Sequence, residues 1–119
     1  MTEHAITAEH RAKFAASLEY WQDELSLRDW RIRLQTRPAR KTVMAEISID
    51  LEARLAKVGL STAWPMEPTD QELDDTALHE LLHVFLKPLL EAAKGDNDLL
   101  TGSVEHSVIN TLERLLSRK

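Results

Sequence analysis

The chain is 119 residues long with 43% hydrophobic residues and a formal net charge of −5, which describes a single folded domain with a true core rather than a disordered segment. It has no cysteine, which excludes a disulfide scaffold, a thiolate zinc finger, an iron–sulfur cluster and a cysteine nucleophile. No run of apolar residues is long enough to span a bilayer and the first residues lack the apolar centre of a signal peptide, so a cytoplasmic protein with no membrane partner is expected.

The first periodic stretch, residues 8–25, places Phe14, Leu18, Trp21 and Leu25 on one stripe and predicts a helix. The period then changes to two. Trp30, Ile32 and Leu34 alternate with Arg31, Arg33 and Gln35, and a second alternation puts Val43, Ala45, Ile47 and Ile49 against Met44, Glu46, Ser48 and Asp50. A turn at residues 50–52 leads into a third strand over residues 54–60, and the short connections predict an antiparallel meander. Residues 28–41 carry six bases (Arg28, Arg31, Arg33, Arg37, Arg40, Lys41) and one acid, Asp29. This island is +5 between flanks of −3 and −7. Such an island can attract phosphate or an acidic partner, but a solvated strand face explains it more simply, and a nucleic-acid partner is not expected.

Residues 61–69, with Pro65 and Pro68, are expected to be loop. A helix opens where Thr69 and Glu72 stand at capping-box spacing and runs to about Lys87, with Pro88 kinking or ending it. Residues 94–101 are turn-rich, and a last helix spans about 103–116. The order of helix, three strands and two helices is that of an α+β domain.

The third-quarter helix contains His79-Glu80-Leu81-Leu82-His83. Histidines at i and i+4 project from one face and can reach a single ion, while Glu80 sits about 100° away and can address a bound water. By chance, a chain of this composition would hold roughly 0.02 such patterns. On a helical wheel with His79 at 0°, His83, Glu72, Thr76, Lys87 and Glu80 fall within about 100°. Leu73, Ala77, Leu78, Leu81, Leu82, Val84, Phe85 and Leu86 take up roughly the rest. A mostly buried helix with one polar strip suits the floor of a cleft.

A protein zinc site usually needs a third ligand. In the last helix Val104, Val108, Ile109, Leu112, Leu115 and Leu116 form an apolar arc that includes Glu105, whereas His106 falls with Asn110, Glu113 and Arg114 on the wet side. A carboxylate on an inward stripe needs a partner, which a metal ion or a buried base could supply. Bringing His106 inward instead would expose Val104, Val108 and Leu115, each worth roughly 1.5–3 kcal/mol when buried.

A histidine pair around Glu, followed by a helix-borne Glu, resembles the gluzincin branch of the zincin metallopeptidases. It is most similar to the small single-domain metallopeptidases of phages and prophages. The resemblance covers about residues 27–116 and rests on Asp29-Trp30-Arg31-Ile32, the strand pair at residues 45–60, His79 to His83, and Glu105-His106-Ser107-Val108. It implies a zincin-like single domain over residues 1–119, with an N-terminal helix, a three-stranded mainly antiparallel sheet, the HExxH helix and a C-terminal helix. It implies Zn2+ held by His79, His83 and Glu105, with Glu80 as the general base of a hydrolase acting on a peptide or protein. The chain departs from larger gluzincins in having Ile109 where an acid often supports the first histidine, and in lacking a second domain. Tyr20, His10 and His106 are the only evident candidates to stabilise an oxyanion. A zincin-fold binding module with little or no turnover is the competing expectation.

Overall fold

The structure is a computed structural model. It describes residues 3–40, 42–93 and 98–118, with the backbone alone for residues 98–103. Lys41 of the basic island and residues 94–97 of the expected turn lie outside the described residues.

Strand β1 (His4–Ala5) precedes helix α1 (Ala8–Glu24). Thr7 caps α1: its hydroxyl accepts from the His10 amide at 3.2 Å while Nδ1 of His10 accepts from the Thr7 amide at 3.0 Å. This is a capping box with a histidine in the acid's usual place, and it commits His10 to a structural role. The helix stops at Leu25, and Ser26 takes φ 58° to reverse the chain. Gln22 secures the reversal by donating to the carbonyls of Leu27 and Trp30 at 3.0 and 2.8 Å.

Strands β2 (Arg31–Leu34), β3 (Ala45–Asp50) and β4 (Leu55–Leu60) form the main sheet in the order β2-β4-β3. The expected alternation holds. Ile32, Leu34, Ala45, Ile47, Ile49, Ala56, Val58 and Leu60 face the core, while Arg31, Arg33 and Lys57 are exposed. The meander does not hold. β4 pairs antiparallel with β3 but parallel with β2, so one of two pairings is antiparallel and the sheet is mixed.

The chain between β2 and β3 explains the difference. It crosses the end of β4, with the Gln35 amide donating to Val58 at 2.8 Å, the Ala39 amide to Leu60 at 3.4 Å and the Ser61 amide to the Met44 carbonyl at 2.9 Å. The crossing passes close to Gly59, where a Cβ would stand 3.4 Å from the Ala39 nitrogen, an ordinary van der Waals contact. The β3–β4 hairpin closes through Arg54 at φ 53° and a bond from the Ala53 amide to the Asp50 carboxylate at 3.1 Å.

The expected loop contains β5 (Ala63–Trp64), which pairs antiparallel with β1. Trp64 is fully buried and its indole donates to the Met44 carbonyl at 3.1 Å. Helix α2 (Asp70–Ala93) then begins with the Thr69 hydroxyl accepting from the Glu72 amide at 3.1 Å. It continues through Pro88 instead of ending there. Proline removes one helical hydrogen bond. Leu90, packed against the core, and the Lys87–Glu91 pair at 2.9 Å hold the turn beyond it. Phe85, expected in the buried arc, is exposed.

Helix α3 (Asp98–Leu116) starts before the expected position, inside the stretch read as turn. Its inward face is rotated within the expected arc. Ile109 is fully buried and Leu112 and Glu105 are half-buried, as expected, but Glu113 is half-buried too, whereas Val104, Val108, Leu115 and Leu116 are exposed. The described residues thus form a compact α+β fold with three helices and two small sheets, and its core lies between the main sheet, α1 and α2.

Candidate metal and catalytic site

The polar strip of α2 faces the edge strand β3 on one side and α3 on the other. A cleft of about 450 Å3 is lined by His79, Glu80, His83, His106, Lys87, Arg40 and the β3 residues Ala45, Glu46, Ile47 and Ile49. A continuation of about 360 Å3 reaches Thr76, Asp75 and Glu113. The i, i+4 spacing brings the imidazoles of His79 and His83 together with ring centroids 5.3 Å apart.

Each imidazole meets a carboxylate of α3. Nδ1 of His79 donates to Glu113 at 2.8 Å and Nδ1 of His83 donates to Glu105 at 2.8 Å, the tautomer an ionised carboxylate imposes. The other ring nitrogen of each has no hydrogen-bond partner among the described residues. Burial pushes the His83 imidazole below its ordinary pKa, and the Glu105 carboxylate only partly offsets that effect. A depressed pKa keeps the ring neutral, which is the form that can donate a lone pair to a metal.

Glu80 is 7% exposed and has no hydrogen bond or ion pair among the described residues. Burial raises its pKa from 4.5 to about 7; the neighbouring His79 pulls it down, and Glu46 and Glu113 push it further up. A carboxyl with that proton affinity can accept and release a proton near neutral pH.

The expected residues are therefore largely together, with two revisions. Glu105 does turn toward α2, but not because Val104, Val108 and Leu115 are buried, since they are exposed. Glu113, expected on the wet side, is part of the site. The acid missing at Ile109 is supplied one turn later, because Glu113 supports His79. The signal for it was available. On an antiparallel helix, two acids separated by about two turns can face two histidines one turn apart if the helices cross at an angle.

His106 is exposed, yet its ring centroid lies 5.6 Å from that of His83, at the rim of the cleft. Tyr20 is elsewhere, its ring stacked under the Arg118 guanidinium at 3.7 Å. With His10 in its cap, neither of those two is placed to stabilise an oxyanion.

The donor set suits zinc: imidazoles backed by carboxylates are the usual supporting arrangement for histidine metal ligands. Among the described residues, no three His, Asp or Glu side chains converge into a ready-made coordination set. Compared with protein-family models, curated proteins and solved structures, the chain matches none.

Proposed function

We propose that the chain is a zinc-dependent metallopeptidase of the gluzincin type, with His79, His83 and Glu105 as ligands and Glu80 as general base. The observation that carries this reading is the pairing of two imidazoles, each backed by a carboxylate, with a buried, proton-avid Glu80 in one cleft. Zinc, when bound, would supply a Lewis acid for a peptide carbonyl and lower the pKa of water. Glu113 holds the His79 imidazole in the tautomer that leaves a nitrogen free for the ion, and Glu105 would become the third donor by exchanging its bond to His83 for the ion. Glu80 takes a proton from the attacking water and gives it to the leaving amine.

β3 is an edge strand beside the cleft, so an extended peptide can pair with it in antiparallel fashion and lie over Glu80.

The test is metal analysis of the purified protein together with peptide cleavage. One zinc per chain is expected, lost in His83→Ala and retained in Glu80→Gln, with cleavage abolished in both. Zinc undiminished in His83→Ala refutes the ligand assignment. A folded protein that takes up no zinc refutes the enzyme and leaves a binding module on this fold.

A further inference from the structure

The geometry points to a second site, on the outward face of the main sheet and adjoining the cleft at Arg40 and Glu46, that binds a compact phosphate-bearing anion through Arg37 and Lys57. A cavity of about 400 Å3 opens there, lined by Arg37, Arg40, Lys57, Glu46, Gln35 and Ser48. This volume lies within the range of small-ligand sites.

Three observations argue for an anion. First, the charges do not balance. Arg40 engages both oxygens of Glu46, the only carboxylate that lines the cavity among the described residues, its amide at 3.0 Å from one and its Nε at 2.8 Å from the other, so Glu46 is already neutralised. Arg37 and Lys57 have no ion pair among the described residues, nor do the neighbouring Arg31 and Arg33. Second, Arg33 and Lys57 are register partners across β2 and β4. Like charges directly opposite destabilise a sheet, and an anion held on Lys57 in the cavity offsets the charge that faces Arg33. Third, the rim is fixed before any ligand arrives. The Ala39 amide is tied to Leu60 at 3.4 Å, that of Gln35 to Val58 at 2.8 Å, and Glu46 holds the Arg40 amide. A preorganised rim binds with less loss of conformational freedom.

The chemistry of the lining selects the class. Guanidinium forks match phosphate oxygens, and the side-chain amide of Gln35 and the Ser48 hydroxyl add neutral donors, more than one carboxylate has oxygens to use. A long polyanion fits poorly. It would run from this patch onto a chain whose flanking segments carry −3 and −7. The face also has no aromatic ring to stack a base, because Phe14, Trp21, Trp30 and Trp64 are buried and Tyr20 and Phe85 lie on helices.

Isothermal titration and amide NMR shifts on the full chain, with sodium pyrophosphate as probe, test the site. Saturable binding of one pyrophosphate per chain is expected, with shifts at residues 35–40, 46–48 and 57–59. Affinity should fall at least tenfold in the Arg37→Gln, Lys57→Gln double variant. Both residues are exposed, so that variant should keep the wild-type circular dichroism spectrum and zinc content. No saturable binding, or equal affinity in the double variant, overturns the proposal. Tighter binding of an oligoglutamate peptide or a short DNA duplex under the same conditions overturns the choice of ligand class.

Discussion

Replacing Glu80 by Gln should stabilise the metal-free protein, and by an amount that depends on pH. The carboxyl ionises at about 7 in the fold against 4.5 when unperturbed. At roughly 1.4 kcal/mol per pH unit, the folded state forfeits about 3 kcal/mol once the group is charged. The sign follows from proton binding. Below pH 4.5 both states hold the proton and the group contributes no pH dependence. Between 4.5 and 7 the folded state binds more protons than the unfolded one, so stability falls as pH rises. Above 7 both states are ionised and the full loss persists. The glutamine variant lacks this titration, and other groups cancel in the difference between the two proteins. Urea unfolding of the metal-free pair at pH 4, 6 and 8 should therefore show a difference near zero, then intermediate, then about 3 kcal/mol in favour of Glu80→Gln. Added zinc should shrink the difference at pH 8, since a nearby cation favours the carboxylate. A constant difference across this range, or a wild type more stable at pH 8, would show that Glu80 is not held as a buried, uncompensated carboxyl.

Glu113→Ala and Glu105→Ala should each weaken zinc affinity by about 10–100-fold, the usual effect of losing a carboxylate behind a histidine ligand, and more for Glu105 if it binds the ion directly. His106→Ala should leave the affinity nearly unchanged, and competition with a chelator measures all three. Burial pushes Asp74 up, but hydrogen bonds from Arg118 and from Ser17 at 2.7 Å outweigh it and hold the carboxyl below its ordinary range. Its stabilising contribution is present above that range and lost as pH falls through the depressed value. Asp74→Asn should thus lower stability at neutral pH and flatten the acid limb of the urea midpoint against pH; an unchanged acid limb would contradict the assignment.

The legible parts of the molecule were those written in local periodicity. Alternation at residues 30–35 and 43–50 depends only on which face a side chain takes, and the wheel of α2 already separated His79, Glu80 and His83 from the leucines. Strand order was not legible, because it turns on where residues 35–40 and 42–44 travel, and that path depends on amides reaching β4 carbonyls far along the chain. β1 and β5 are two residues each and carry no period. Pro88 was misleading because a proline removes one bond locally, while Leu90 packs against a core formed by residues distant in sequence. The apolar residues of α3 alone place Glu113 on the wet side, and only its bond to His79 brings it into the site.

The orientation of α3 shows why its apolar residues alone do not fix it. Its apolar residues spread over more of the circumference than one neighbouring helix can cover, so some must face solvent. The observed rotation leaves Val104 at 49%, Val108 at 38% and Leu115 at 72% exposure. At roughly 1.5–3 kcal/mol for each fully buried side chain, that exposure forfeits on the order of 3–4 kcal/mol. The same rotation buries Ile109 completely and forms the His79–Glu113 and His83–Glu105 hydrogen bonds. Bonds to a charged partner contribute about 1.5–3 kcal/mol each, so the two together match or exceed what the valines and leucine lose. The antiparallel register extends through Ser117, which donates to Asp75 at 2.6 Å, to Arg118, whose Nε donates to Asp74 at 3.1 Å. Polar pairs thus fix both the rotation and the register of α3, and two of the four belong to the candidate site. The side chains proposed to hold the metal also align the helix that delivers them.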